Sequence, residues 1–323
     1  MLRLATGLRT VATRVAVAVL TIAAVSLVVF VGVSLLPGNA AQRALGVQAA
    51  DPQALQARMH EVGLDRPVLV RYGDWMSGLV RGDLGRSLVS QRPISDELGT
   101  AFRNTGVLSA FALLFMVVLG TTFGILAALA HGRPADRVVD VVTLAFMAVP
   151  EFVIGTLLVA AFGTGLGVLP AVSLIDSSRP ILDQLDLVVL PVATIVIVAV
   201  GQVTRMIRAA TIDVLQAPHI EMAALRGVGG WRLLLRHVLP NTIGPTIHVL
   251  ALIVAFLAGG IVVTETVFQY PGVGMAFVTA VSNRDVTTVC AIAVIISAVY
   301  VVANLLADLA QMALNPRLRA AAR

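Results

Sequence analysis

The residues best suited to chemistry in this chain are a few ionisable side chains in or beside long apolar segments. Glu151 follows Pro150 inside one such segment, His248 lies inside another, and Glu265 directly follows the second. A charged side chain within a bilayer is costly and commonly functional, so Glu151 and Glu265 are candidates for a solute translocation pathway. A structural interpretation stays open for both: Glu151 as a carboxylate solvated or paired at a kink beside Pro150, and Glu265 as an interfacial carboxylate.

Residue types exclude several other chemistries. All 23 basic residues other than histidine are arginines, whereas a P-loop that hydrolyses ATP ends in Gly-Lys-Ser/Thr and needs that lysine at the phosphates. The five histidines show no ligand spacing, so we expect no metal site, and the single cysteine, Cys290, cannot form an intrachain disulfide. A membrane enzyme is a weaker alternative, because the sequence shows no Ser/His/Asp or metal constellation at a predicted membrane face. An ATP-driven process would therefore need its ATPase on another chain.

The elements that carry these residues are predicted to be membrane helices. The chain has 323 residues, 58% of them hydrophobic, and a mean hydropathy of +0.93, whereas soluble domains are roughly 45–50% apolar. A helix needs ~20 apolar residues to cross a bilayer, and six segments qualify, at 15–36, 105–130, 141–169, 187–204, 243–264 and 286–307. We predict an all-α polytopic membrane protein with six transmembrane helices.

A secretory signal is the alternative interpretation of the first segment. Its 22 uncharged residues, however, exceed the ~7–15 residues of the apolar region of a signal peptide.

The distribution of arginine predicts the orientation. Segments 1–14, 131–140, 205–242 and 308–323 are rich in arginine, while 170–186 and 265–285 carry one each, Arg179 and Arg284. The positive-inside rule then places both termini in the cytoplasm. We expect the membrane that the chain spans to be the plasma (inner) membrane. Segment 37–104 combines eight arginines with seven acids and is too long for the rule, so it is predicted to be extracytoplasmic. Topology explains the net charge of +5 better than binding of nucleic acid does.

Segment 37–104 is predicted to contain two helices. Asp51 before Pro52 is typical of an N-cap followed by a first-turn proline, and Gly63 is typical of a helix end. A second, amphipathic helix is predicted from apolar residues at helical spacing, namely Val68, Leu69, Tyr72, Trp75 and Leu79. It would lie on the outer membrane face or pack against the membrane helices.

Two small residues in the second apolar segment, Gly120 and Gly124, form a small-xxx-small pattern. Such a pattern lets two helix backbones approach closely. We expect packing within the helix bundle, with a seam between two subunits as the alternative.

The segment at 217–241 is the most informative part of the sequence. A short cytoplasmic helix is predicted to begin near Pro218, and Gly227 with the Gly229-Gly230 pair is predicted to end it. Its small side chains would let another protein approach the backbone. The leucines that follow would return the chain to the bilayer, with Pro240 shaping the entry to the fifth apolar segment.

This segment resembles the coupling loop of ABC importer permeases, which reads Glu-Ala-Ala-x-x-x-Gly and then Ile-x-Leu-Pro. Met222 and His237 depart from that pattern. The resemblance implies ATPase-coupling roles for Glu221, Ala223, Ala224, Gly227, Leu239 and Pro240. For Glu221, capping and solubilising a surface helix is the alternative to contact with an ATPase groove.

Further motifs narrow the resemblance to the first-permease type of the dipeptide/oligopeptide/nickel family and extend it over nearly the whole chain. They are LLPG at 35–38, RGDLGRSL at 81–88, VPEF at 149–152, ETVF at 265–268, PGVG at 271–274 and NPR at 315–317.

The family implies the type I ABC importer permease fold and transport of a peptide or a related small solute. It also implies a heterodimer with a second, homologous permease, two cytoplasmic subunits that bind ATP and Mg, and an external solute-binding protein. A channel or a secondary transporter is the main rival, but such carriers hold several ionisable residues in the membrane and often show inverted repeats, which this chain lacks.

Overall fold

The computed structural model describes residues 2–176, 179–242, 253, 254, 257 and 261–314, without the side chains of 2–12, 14, 15 and 307–314. Within these residues every regular element is a helix, and the only β-type pairing is one isolated bridge between Arg86 and Pro93. The chain divides into two units. One comprises the residues up to Thr105 together with Pro271–Val301, and the other comprises Gly106–Tyr270 together with the residues from Val302 onward.

The first unit contains two long apolar helices with shorter helices between them. Its helices are α1 (Leu2–Ser34), α2 (Ala40–Leu45), α3 (Pro52–Glu61), α4 (Val68–Val80), the start of α5 (Ile94–Leu129), α11 (Val273–Ser282) and the larger part of α12 (Val286–Leu314), with a 3₁₀ turn at Gly46–Ala50. The predicted start of α3 is confirmed, because the Asp51 side chain accepts a hydrogen bond from the Gln53 N–H at 2.9 Å. Gly63 follows the helix with φ +69°, a conformation in which glycine is favoured.

Helix α4 packs against membrane helices of its own unit. Trp75 is buried in a cluster with Phe30 of α1 and with Val286, Cys290 and Val294 of α12. The Tyr72 hydroxyl lies 2.9 Å from the Ser26 hydroxyl of α1. Helix α4 therefore packs against membrane helices, as one of the two alternatives predicted, and its position relative to the membrane surface stays a prediction.

The second unit is built around α5 and α8. It contains the rest of α5, α6 (Pro134–Ala148), α7 (Glu151–Leu158) continued by a π-helical turn (Val159–Gly165), a 3₁₀ turn (Ile181–Gln184), α8 (Asp186–Leu215), α9 (Pro218–Leu225), and α10 (Gly230–Leu233) continued by a second π-helical turn (Leu234–Val238). Its core joins Leu108, Ala112 and Met116 of α5 to Ile195 and Ile207 of α8.

The Gly120 and Gly124 pattern serves packing inside this unit. A Cβ added at Gly120 would lie 2.4 Å from Val203 Cγ1, and one added at Gly124 would lie 2.8 Å from the Thr204 carbonyl oxygen. Both distances are far below van der Waals contact, so only glycine permits this approach of α5 to α8. The expectation of packing within the bundle is confirmed.

The third predicted span is broken rather than continuous. Helices α6 and α7 with its π turn meet at 96°, and the break falls at Val149 and Pro150. Proline lacks an N–H and disfavours helical backbone at the residue before it, which accounts for the break. Glu151 therefore begins a new helix instead of lying in the middle of one.

Among the residues that the structure describes, four helices are long and apolar enough to cross a membrane. They are Ala16–Ser34, Ile94–Leu129, Asp186–Leu215 and Val286–Leu306, and the bent pair Pro134–Ala148 and Glu151–Gly165 makes a fifth if it is one span. Most of the predicted fifth segment, 243–264, including His248, lies outside the described residues, as does the NPR motif at 315–317. A multi-span helical protein is confirmed, and the count of six stays a prediction.

Candidate functional site

The predicted cytoplasmic helix is α9, and local sequence signals define both of its ends. Pro218 is its first residue, preceded by Ala217 in an extended conformation. At the other end, Gly227 has φ +84° and the Val228 N–H donates to the Ala223 carbonyl at 3.1 Å. This is the bond of a glycine-terminated helix end, which a residue with a Cβ would strain. The predicted start at Pro218 and end at Gly227 are confirmed.

One side chain anchors α9 to the rest of the unit. Ile220 is only 2% exposed and packs in a cluster with Leu234 and Val238 of the returning helix. Val214 and Leu215 at the end of α8 also contact this cluster. Ile220 therefore links α9 directly to the end of α8 and to the returning helix.

The opposite face of α9 is exposed and partly apolar. Met222 is 52% exposed and Leu225 75%, and Trp231, just beyond the glycine turn, is 70% exposed. Glu221 lies beside them in the first turn, and its exposed carboxylate makes no hydrogen bond or ion pair with any residue that the structure describes. Large exposed apolar side chains around one unpaired carboxylate are typical of a contact surface. The Glu221 side chain does not cap α9.

The remaining predicted coupling residues divide between this surface and its support. Ala224 and Gly227 are exposed and Ala223 is half-buried. Leu239 instead packs against the anchoring cluster, and Pro240 follows the second π-helical turn. Because Pro240 has no N–H, the ordinary helical bond to the Arg236 carbonyl is missing there. Leu239 and Pro240 thus shape the returning helix and do not join the exposed face of α9.

An ion pair that we did not predict holds the C-terminal part of α8. Both Asp136 carboxylate oxygens accept from the Arg208 guanidinium, at 2.6 Å from Nε and 2.8 Å from Nη2. The Gly132 N–H donates to the same carboxylate at 3.1 Å, and the His131 ring lies 3.3 Å from it. Such a bidentate pair is stronger than a typical surface ion pair. The pair joins the first turn of α6 to α8, seven residues before α8 ends at Leu215.

Glu151, the first candidate for the translocation pathway, is half-buried and is hydrogen-bonded to the residue that precedes Glu265, the second candidate. Its carboxylate accepts a hydrogen bond from the hydroxyl of Thr264, which is fully buried and precedes Glu265. In the same place Gly155 lets α7 approach Val267 and Phe268, because a Cβ there would lie 3.3 Å and 3.4 Å from their side chains.

Glu265, the second candidate, has no exposed surface in this conformation. The turn that ends its helix is closed by the Tyr270 N–H, which donates to the Glu265 carbonyl at 2.8 Å. Tyr270 is buried as well, and this burial, followed by the charge of Glu265, raises the pKa of its phenol. The Ser173 N–H donates to the Phe268 carbonyl in this turn at 2.8 Å. Full burial favours the structural interpretation of Glu265.

A buried carboxylate that we did not predict, Asp285, organises the first unit. It accepts from the Ser87 hydroxyl at 2.5 Å, from the Leu88 N–H at 3.2 Å, and from the N–H and hydroxyl of Thr288 at 3.3 and 2.9 Å. Asp285 thereby caps α12 and holds the end of the RGDLGRSL motif against it.

Asp285→Ala is expected to destabilise the protein by roughly 2–4 kcal/mol, because it leaves the buried hydroxyls of Ser87 and Thr288 without an acceptor. Thermal unfolding in detergent, followed with a thiol-reactive dye, measures this effect, since Cys290 is buried and reacts only when the protein opens. Asp96→Ala is the matched control, because Asp96 is an exposed acid whose side chain bonds, among the described residues, only to the neighbouring Ser95. Equal melting temperatures for the two variants would show that the Asp285 cluster is not stabilising.

The helices and motifs together define a multi-pass membrane protein of the transport class. The chain belongs to the family described as binding-protein-dependent transport system inner membrane component, whose model matches residues 120–320, while the model for the N-terminal region of such membrane components matches 7–123. The predicted resemblance is thereby confirmed. The protein is a transport subunit rather than an enzyme: a permease component of an ABC importer, in the inner membrane, that works with a partner ATPase and a solute-binding protein.

Curated relatives support the same assignment. The chain is 32% identical over 299 residues to the glutathione transport system permease protein GsiC of Escherichia coli strain K12 and to that of Shigella dysenteriae serotype 1. In both cases the match covers 93% of this chain and 95% of the relative.

Proposed function

We propose that this permease forms one half of a peptide translocation pathway and is driven through α9 by a separate ATPase. The observation that carries the proposal is α9 itself, which presents Glu221 and an apolar face outward while Ile220 anchors it to α8 and to the returning helix. Closure of an ATPase pair on ATP would push on residues 221–227 and reorient the membrane helices from inward-facing to outward-facing.

The proposed topology has six spans in a type I permease fold with both termini in the cytoplasm. The clustering of arginines in 1–14, 131–140, 205–242 and 308–323 supports it. The segments at 37–104, 170–186 and 265–285 then face outward. The Asp136–Arg208 pair and α9 both fall on the cytoplasmic side in this topology.

The proposed assembly contains a second, homologous permease, two cytoplasmic ATP-binding subunits and an external solute-binding protein. Because this chain has no lysine for a P-loop, ATP and Mg would be bound by the partner subunits. The exposed apolar residues of α9 supply the surface on which one ATPase subunit would bind.

A small peptide is the solute class that we propose. The relatives named above are permeases of a glutathione transport system, and glutathione is itself a short peptide. Reconstituting the chain with its partners and measuring ATP-driven uptake of glutathione, dipeptides and longer peptides would test this proposal. Failure to accumulate any of them, in vesicles where the ATPase is active, would contradict it.

Glu151→Gln is expected to reduce the uptake of cationic peptides about fivefold and that of neutral peptides less than about twofold, as for the loss of one partly solvated charge. The amide oxygen of glutamine can still accept the bond from Thr264, so packing is retained. Uptake of matched cationic and neutral dipeptides measures the difference. Thr264→Val is the control, because it removes the hydroxyl and leaves the charge. Equal losses for both peptides would assign Glu151 a structural role only.

A further inference from the structure

The first unit contains a cavity of about 400 Å³, lined by both polar and apolar groups, that the transport mechanism proposed above does not use. The end of the RGDLGRSL motif, the first turns of α5, helix α11 and the start of α12 line it. The residues that matter for its chemistry are Ser90, Glu97, Met275, Thr279, Asn283 and Asp285. The cavity is open on one side, so a ligand can enter it.

Two carboxylates line this cavity, those of Asp285 and Glu97, and only Glu97 has an oxygen left to receive a ligand. Asp285 is saturated by its four hydrogen bonds and forms part of the wall. Glu97 is exposed, and one of its oxygens accepts from the Ser90 hydroxyl at 2.5 Å. The other oxygen has no partner among the described residues. No arginine or histidine is among the described residues that line the cavity.

The remaining walls combine hydroxyl and amide groups with apolar side chains. Thr279 and Asn283 offer hydrogen-bond acceptors, while Leu98, Met275 and Ala276 offer an apolar wall. An aliphatic stem that ends in a cation matches this combination, because its methylene groups bury against apolar surface while its head keeps polar partners.

We propose that this cavity is a binding site for a primary ammonium or guanidinium group carried on an aliphatic stem. Such a group could come from a peptide solute or from a lysine or arginine of the binding protein. The proposal does not depend on the proposed coupling through α9, and it can be tested in detergent, where both membrane faces are accessible.

The test uses Thr279→Cys in a Cys290→Ala background of the assembled transporter. We measure its reaction rates with cationic 2-aminoethyl and anionic 2-sulfonatoethyl methanethiosulfonate, each divided by the rate with a free thiol. The cationic reagent is expected to be favoured, and Glu97→Gln is expected to lower this preference about two- to fivefold, as for an exposed carboxylate. Asp96→Asn, which removes a neighbouring charge outside the cavity, is expected to leave the preference unchanged.

Butylammonium is expected to slow the labelling of the Thr279→Cys variant, and butanesulfonate is not. Protection by a cationic peptide alone would assign the solute as the source of the group, and protection by the purified, solute-free binding protein would assign that protein. Asn283→Cys repeats the measurement from a second lining position if Thr279→Cys does not fold. Equal preference for the two reagents, or a preference that Glu97→Gln leaves unchanged, would overturn the proposal, whatever the uptake assays show.

Discussion

Glu221→Arg is expected to lower ATP-driven uptake at least about tenfold, because reversing a charge inside the proposed contact with the ATPase is expected to cost more than the ~1.4 kcal/mol of a tenfold effect. The Glu221 carboxylate is exposed and makes no bond with any residue that the structure describes, so the loss would come from contact with another chain. Folding is expected to change little, since exposed substitutions usually shift stability within about ±0.5 kcal/mol. Uptake into proteoliposomes and co-purification of the ATPase measure the two effects.

Asp213→Arg provides the matched control for this experiment. Asp213 is also an exposed acid in segment 205–242, but it lies in α8 and not in α9. We expect near-normal uptake and assembly for this variant. If Glu221→Arg also assembled and transported normally, the proposed contact role of Glu221 would be wrong, and only its favourable place in the first turn of α9 would remain.

The parts of the fold that were predictable from sequence are those with local causes. Helix α9 begins at Pro218 and ends before Gly227 because proline at a first turn and glycine after a last turn act through their own backbone. Asp51 caps α3 for the same kind of reason. The Gly120 and Gly124 pattern also pointed correctly to close packing, since a helix repeat places both glycines on one face.

The parts that were not predictable depend on residues far apart in the chain. The Asp285 and Ser87 side chains are 198 residues apart, and Asp136 and Arg208 are 72 apart. A carboxylate near a span end is common, and nothing in its local sequence tells which distant hydroxyl or guanidinium it will meet. Burial, which separates these acids from the exposed ones, exists only after the helices have packed.

The break in the third span falls between these two cases. Pro150 predicted a kink, but not one of 96°. The angle depends on what each helix packs against, and α7 lies close to Val267 and Phe268, an approach that Gly155 permits. Glu151 is held there by Thr264, so the sequence could identify the residue but not its partner.

Gly124→Ala is expected to lower the melting temperature in detergent by roughly 3–10 °C, the effect of about 1–3 kcal/mol of overpacking. The added Cβ would lie 2.8 Å from both the Thr204 carbonyl oxygen and Ile207 Cβ. That carbonyl belongs to the backbone of α8 and cannot rotate away, so α5 and α8 would have to separate along their length.

Two further variants distinguish a clash from a general effect of alanine. Gly106 lies on the same helix with no atom within 4 Å of its added Cβ, so Gly106→Ala is expected to be neutral or stabilising by up to ~1 kcal/mol. Gly120→Ala meets mainly the Val203 side chain, so Val203→Ala should partly restore its stability, whereas Ile207→Ala should not rescue Gly124→Ala while the Thr204 carbonyl remains. Equal melting temperatures for the Gly124 and Gly106 variants would mean that α5 and α8 do not approach this closely in the membrane protein.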